Sequence, residues 1–126
     1  MGQRFLIDSN IVIDYLKGLL PLSGMNMINH IVDDLLLLSV ITKIEILGFP
    51  APDRLCLDFV DTATILHLNN SVINQTIILR KSHKIKLGDA IIAATAIVYS
   101  LTLVTRNIDD FKNIENLQVL DPSKLC

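Results

Sequence analysis

The sequence has no tryptophan, only two cysteines and few aromatic residues, which make up 5% of the chain. Cys56 and Cys126 are too few for a disulfide framework and have no partner at metal-binding spacing, so two ordinary thiols are expected. The chain also lacks an excess of positive charge, since its formal net charge is -2 at pH 7. A basic packaging protein is therefore excluded, and any nucleic-acid binding must depend on local features.

The sequence also lacks an apolar segment long enough to span a membrane. The charge-free run Ala90–Thr105 is shorter than the roughly 18 residues that suggest a membrane helix, and hydroxyl side chains interrupt it. Near the N-terminus, the chain passes from Arg4 straight into a strand-like run, without the apolar segment of a secretion signal. We therefore expect a cytoplasmic protein that does not associate with membranes.

Hydrophobic residues are abundant, at 51% of the 126 residues. This content supports a substantial core, and the length suits one domain covering residues 1–126. Apolar runs predict these strands: Arg4–Ile7, Leu35–Val40, Thr64–Leu66, Leu101–Thr105 and Gln118–Leu120. Helical patterns predict these helices: Ile11–Leu16, Pro21–Asp34, Thr42–Leu47, Arg54–Val60, Val72–Lys81 and Asp89–Tyr99. The alternation predicts an α/β fold with helices on both faces of a parallel sheet, whose strand order stays open.

Acidic residues recur where the predicted strands end. Asp8 directly follows the first strand, Glu45 lies in the first turn of the helix after the second strand, and Asp110 comes shortly after the fourth. Asp89 begins the alanine-rich helix that leads into the fourth strand. Because ligands of open parallel sheets bind beyond the carboxyl ends of the strands, these acids are predicted to share one cleft.

Each acid also has a structural explanation. Thr42 and Glu45 fit a capping box, in which the glutamate reaches back to the cap amide. Asp8 and Asp110 are suitable helix caps, and Asp89 lies in a first turn where the helix dipole favours an anion. Their shared location favours a metal site instead, because converging carboxylates repel one another unless a cation neutralises them. Hard oxygen ligands of this kind suit Mg²⁺ or Mn²⁺.

Four segments carry the acids in a recognisable order and spacing: Phe5–Asn10, Ser39–Gly48, Leu87–Ala96 and Leu103–Phe111. In these segments the chain resembles the PIN-domain ribonucleases, and more closely the VapC type of toxin from type II toxin–antitoxin systems. The resemblance implies a three-layer α/β/α fold with a central parallel sheet of about five strands. It also implies Mg²⁺- or Mn²⁺-dependent cleavage of single-stranded RNA by a homodimer, and a small antitoxin that blocks the site.

The resemblance assigns catalytic and metal-binding roles to four carboxylates: Asp8, Glu45, Asp89 and Asp110. It leaves further polar residues as candidates for lining the site: Asn107, Thr42, Thr105 and Asp109. Three neighbouring residues, Asn107, Asp109 and Asp110, are candidates for the fourth functional position. Asp110 is favoured because it immediately precedes Phe111. Asp8 and Asp89 are the expected direct ligands of the metal.

Two alternatives remain at this point. A receiver-like phosphoacceptor signalling domain shares the doubly wound architecture and also carries acids at strand ends. The sequence disfavours it, because receivers resemble one another in a paired acid after the first strand, where this chain has Ser9 after Asp8. The other alternative is a catalytically silent binding module with the PIN fold.

Two further segments stand out. The high apolar content of Ile28–Leu38 predicts a dimer surface in the N-terminal half. Arg80–Lys86 is the one dense basic stretch, while Lys43 and Arg106 are isolated cations elsewhere. Each cation alone is more typical of a solvated helix end or loop than of a binding site.

Overall fold

In a computed structural model that describes residues 2–125, five strands form one sheet with helices on both faces. The strands are β1 Phe5–Ile7, β2 Leu37–Ser39, β3 Thr64–Leu66, β4 Thr102–Val104 and β5 Gln118–Leu120. The helices are α1 Ser9–Leu16, α2 Leu22–Asp34, α3 Val40–Leu47, α4 Arg54–Thr62, α5 Asn70–Ser82, α6 Leu87–Val98 and α7 Ile108–Phe111. A short 3₁₀ helix, Pro122–Lys124, follows β5. Each predicted strand and helix is present, and Cys126 lies outside the described residues.

The sheet has the order β3-β2-β1-β4-β5, and all of its neighbouring strands are parallel. The central strand is β1, where Leu6 pairs with Leu37 on one side and with Leu103 on the other. From β1 the chain extends the sheet through β2 to β3, and it then returns to the other side of β1 to form β4 and β5. The carboxyl ends of β1 and β4 therefore form a topological switch point, where ligands of open parallel sheets bind. Receiver-like domains have the order 2-1-3-4-5 instead, so the receiver-like alternative is wrong.

Each face of the sheet has its own core, because successive side chains of a strand point to opposite faces. On β1, Leu6 packs with residues of α5, α6 and α7, whereas Ile7 packs with residues of α1 to α4. Both side chains are fully buried. The predicted three-layer α/β/α fold is therefore confirmed. Among residues 2–125, none of the helices combines the length and the apolarity needed to cross a membrane.

The segment Ile28–Leu38 does not form the apolar surface that its composition predicts. Its large apolar side chains are mostly buried in the core: Ile28, Ile31, Leu36, Leu37 and Leu38. Ile28 and Ile31 belong to α2, which packs against the sheet, whereas Leu37 and Leu38 belong to β2 inside the sheet and Leu36 directly precedes that strand. Apolar content alone could not distinguish core from surface, and in this part of the chain the core accounts for it.

Candidate active site and metal site

Asp8 begins the site because β1 ends at Ile7 and Asp8 then caps α1. Only 5% of its surface is exposed. Its carboxylate accepts hydrogen bonds from the backbone N–H of Ser9 at 2.8 Å, from the Thr105 hydroxyl at 2.8 Å and from the Asn10 side chain at 3.2 Å. Three donors from two elements therefore hold this carboxylate in one position at the carboxyl edge of the sheet.

Thr105 and Asn10 connect the end of β4 to the start of α1. The Thr105 side chain is fully buried, and its hydroxyl also accepts from the Asn107 backbone N–H at 3.1 Å. Asn10 completes the connection because its side-chain oxygen accepts from the backbone N–H of Arg106 at 3.0 Å. Thr105 thus supports Asp8 from below the cleft. The sequence patterns did not single out Asn10, because its partners Thr105 and Arg106 lie far away along the chain.

Glu45 reaches the same edge from α3, and not through the capping box that was its structural explanation. That alternative is wrong because α3 begins at Val40 and its cap is Ser39, whose hydroxyl accepts from the backbone N–H of Thr42 at 3.1 Å. Thr42 is fully buried and supports the first turn of α3. Glu45 instead accepts a hydrogen bond from the Ser9 hydroxyl at 3.2 Å, across the gap to α1.

The four predicted carboxylates act on one another electrostatically. Burial raises the pKa of Glu45, and the negative charges of Asp8 and Asp89 raise it further. Burial also raises the pKa of Asp89, with further contributions from the charges of Asp8 and Asp110. Burial raises the pKa of Asp8 as well, against the lowering effect of its hydrogen bonds. Asp8, Glu45, Asp89 and Asp110 are therefore linked by the effects of their charges, and we call these four residues the acidic cluster.

The structure also separates the three candidates for the fourth acid. Asp110 belongs to the acidic cluster, because its charge raises the pKa of Asp89. The carboxylate of Asp109 lies 3.5 Å from the Lys112 ammonium, and its side chain is 90% exposed. Asn107 contributes its carbonyl to the first turn of α7, where it accepts from the Asp110 backbone N–H at 3.1 Å. Asn107 and Asp109 border the cleft beside Asp110 without belonging to the cluster.

The chemistry of the acidic cluster fits a hard divalent cation. Its donors are carboxylate oxygens that repel one another, and a cation removes that repulsion. Within residues 2–125, no three acidic, histidine or cysteine side chains converge closely enough to hold an ion by themselves.

The start of α3 yields a prediction that separates capping from site chemistry. Ser39→Ala removes the cap and should lower the free energy of unfolding by about 1 kcal/mol. Glu45→Gln should leave it unchanged or raise it, because the amide keeps an acceptor for Ser9 and loses the repulsion from its acidic neighbours. Urea unfolding without divalent cations measures the free energy of unfolding of both variants. A Glu45→Gln protein that is less stable than Ser39→Ala would restore the capping box.

An open parallel sheet with an acidic cluster beyond its strand ends defines an α/β domain that binds charged or polar ligands at its switch point. Residues 5–117 match the family model of the PIN domain. The chain therefore belongs to the PIN domain family, and the resemblance seen in its four segments is confirmed. No curated protein sequence matches the chain significantly.

Several solved structures contain chains with this fold. A chain of a toxin–antitoxin complex from Klebsiella pneumoniae is 28% identical, with a TM-score of 0.75, and the match covers 95% of this chain and 98% of that one. A chain of VapBC2 from Rickettsia felis, bound to a fragment of promoter DNA, is 24% identical with a TM-score of 0.77, covering 94% and 98%. A chain of FitAcB from Neisseria gonorrhoeae is 24% identical with a TM-score of 0.75, covering 96% and 99%.

Proposed function

We propose that this chain is a Mg²⁺- or Mn²⁺-dependent endoribonuclease that cleaves single-stranded RNA. The observation that carries the proposal is the acidic cluster, whose members Asp8, Glu45, Asp89 and Asp110 come from four different segments. The charges of Asp8 and Asp89 raise the pKa of Glu45, and those of Asp8 and Asp110 raise the pKa of Asp89. A structural cap needs one carboxylate at one helix end, so caps do not account for this coupling between segments. Membership of the PIN domain family supports a nuclease further.

Each residue of the site has a role that follows from its position. Asp8 and Asp89 would hold the cation, and Glu45 and Asp110 would complete its coordination or orient water. Hydrogen bonds from Ser9, Asn10 and Thr105 hold Asp8 in place before substrate arrives. The Ser9 hydroxyl also orients Glu45. When bound, the cation supplies a water of lowered pKa and stabilises charge on the leaving oxygen.

Cleavage assays with matched substrates test the nuclease proposal. The protein, with Mn²⁺ or Mg²⁺, is incubated with a mixed-sequence single-stranded RNA, the same sequence as a duplex, and the corresponding single-stranded DNA. We expect internal cleavage of the single-stranded RNA that chelation by EDTA stops. A protein that binds Mn²⁺ but cuts none of these substrates would be the catalytically silent PIN-fold module instead.

We also propose that the chain is the toxin of a type II toxin–antitoxin pair, on the strength of its structural similarity to chains of such complexes. Its antitoxin would cover the acidic cluster and place an arginine or lysine among the carboxylates. Exposed apolar side chains of Ile44, Phe49 and Leu55 flank Glu45 in sequence and offer contact area for a partner. For the homodimer, the exposed Ile73, Ile77 and Ile78 of α5 are the apolar surface we propose.

Competition between antitoxin and metal tests how the antitoxin binds. An arginine among the carboxylates neutralises the same charge as the cation, so saturating Mn²⁺ should weaken antitoxin binding several-fold at constant ionic strength. Titration calorimetry with the product of a short neighbouring reading frame measures this. Asp109→Asn is the control, because its carboxylate lies outside the cluster. Antitoxin affinity that does not change with Mn²⁺ would rule out direct insertion.

A further inference from the structure

Arg106 follows β4 beside the acidic cluster and is held at both its backbone and its side chain. Its backbone N–H donates to Asn10 Oδ1 at 3.0 Å, and its guanidinium Nη1 donates to Asp14 Oδ2 at 2.6 Å. Asp14 lies on α1, the helix that Asp8 caps. The side chain of Asp14 is 10% exposed, whereas that of Arg106 is 52% exposed. A buried anion on the helix capped by Asp8 therefore holds a half-exposed cation in place.

The guanidinium of Arg106 has hydrogen-bonding capacity left over. It carries five N–H donors in a planar fork, and within residues 2–125 the contact from Nη1 to Asp14 is its only hydrogen bond. An arginine that is already oriented loses little side-chain freedom when it binds a further anion. The remaining donors are thus available for an anionic ligand at the site.

Arg106 also lines a cleft of about 340 Å³ that Asp110 shares. Lys124 and Asn107 line the same cleft, and its volume lies within the range of ligand pockets, roughly 300–1,000 Å³. The cleft also holds two carboxylates, of which Asp109 is paired with Lys112, so Arg106 and Lys124 are the cations that face Asp110 in a chain with a net charge of -2. A polyanionic substrate needs such local positive charge, because the protein as a whole does not attract it.

We propose that Arg106 binds a phosphate of single-stranded RNA adjacent to the one that is cleaved, and that Asp14 is the positioning residue that holds Arg106 there. This inference rests on the proposed nuclease function. The planar fork of arginine matches the oxygens of a phosphate in a bidentate manner. Lys124 adds a second positive charge to the same cleft. The subsite would fix the register of the RNA strand across Asp110.

Steady-state kinetics test the subsite with a matched control. Arg106→Gln should raise KM about tenfold with little change in kcat, because a charge-assisted contact made to substrate and transition state alike is lost. Arg106→Lys should recover part of that loss, and Asp14→Asn should raise KM a few-fold. The control is Arg54→Gln: Arg54 pairs with Asp58 at 3.1 Å, is exposed, and does not line the cleft beside Asp110.

The salt dependence of RNA binding gives a second readout that a structural ion pair would not change. Fluorescence anisotropy with a labelled single-stranded RNA in Mn²⁺, on an Asp89→Asn background, measures the dissociation constant against salt concentration. Removing one phosphate contact should reduce the slope of log affinity against log salt by about 0.7 for a single strand. We expect this reduction for Arg106→Gln and none for Arg54→Gln.

Stability has to be separated from binding, because Arg106→Gln leaves the Asp14 carboxylate buried without its partner. The double variant Asp14→Asn/Arg106→Gln removes both charges, so it should melt near the parent and still show the raised KM. If the parent cleaves RNA but both variants keep the parental KM and salt slope, the subsite is wrong and the nuclease proposal stands. If the parent neither binds nor cleaves RNA, both proposals fail.

Discussion

Replacing Asp8 or Asp89 by asparagine is expected to abolish RNA cleavage while the protein, without divalent cations, melts at the parental temperature or above it. Cleavage should fall by more than about a hundredfold, the upper end of what residues outside the metal's direct ligands cost. Stability should not fall, because burial raises the pKa of both carboxyls and thus disfavours their charged forms, and for Asp89 the charges of Asp8 and Asp110 add to this effect. Asparagine keeps an oxygen acceptor for the Ser9 backbone N–H and removes the repelling charge.

The pH dependence of the stability difference follows from the raised pKa values of Asp8 and Asp89. A carboxyl whose pKa is higher in the folded state stabilises the fold when it is protonated and loses that contribution as the pH rises through its folded-state pKa. The gain in melting temperature of Asp8→Asn over the parent should therefore be present at neutral pH and shrink as the solution becomes acidic. Calorimetric melts at several pH values measure this difference.

Asp109→Asn is the matched control for these substitutions, because its exposed carboxylate pairs with Lys112 outside the acidic cluster. It should keep parental cleavage, whereas Asp110→Asn should lose it. A different outcome would overturn the assignment. If Asp8→Asn and Asp89→Asn melt lower without metal and cut RNA at the parental rate, the nuclease assignment fails and these acids are structural caps.

Phe111→Ala is expected to lower the free energy of unfolding by about 3–5 kcal/mol, the usual cost of truncating a buried phenylalanine. The Phe111 ring is 2% exposed and packs into the core formed by α5, α6 and one face of the sheet. It also ends α7, the short helix that carries Asp110. The total free energy of unfolding of a domain is only about 5–15 kcal/mol, so this loss should be large in thermal or urea unfolding.

Phe49→Ala controls for the loss of a phenylalanine as such, since Phe49 is 46% exposed. Its cost should stay within about 0.5 kcal/mol, as for other surface substitutions. Equal costs for the two variants would mean that Phe111 does not anchor α7 in solution. Asp110 would then need another source of order to hold its place in the acidic cluster.

Local patterns in the sequence were sufficient to predict the five strands and every helix of the described residues except the four-residue α7 and the short 3₁₀ helix. Short apolar runs mark strands that are buried, and 3.6-residue periodicity marks the helices between them. The placement of Asp8 needed only its neighbours, because β1 ends at Ile7 and the next helix starts at Ser9. The Arg4–Ile7 strand was predicted one residue longer than β1, within the usual uncertainty of an element end.

Features that depend on contacts between distant segments were settled by the tertiary structure. The strand order comes from the pairing of β1 with β2 and β4, which no local pattern encodes. Because β2 ends at Ser39 and α3 begins at Val40, Glu45 lies beyond the first turn of α3 and contacts the Ser9 hydroxyl instead of a cap amide. The burial of Ile28–Leu38 likewise depends on which face of α2 meets the sheet.

The sequence by itself determined where Asp8 and Asp89 stand relative to their own helices, because caps and first turns involve residues a few positions apart. Only the tertiary structure decided which polar groups meet. The charge of Asp110 acts on Asp89 from α7, whose last residue, Phe111, is buried in the core, whereas Asp109 pairs with Lys112. Arg106 reaches Asp14 across a separation of 92 residues. Such contacts depend on how the helices pack around the sheet, and that packing is a property of the whole chain.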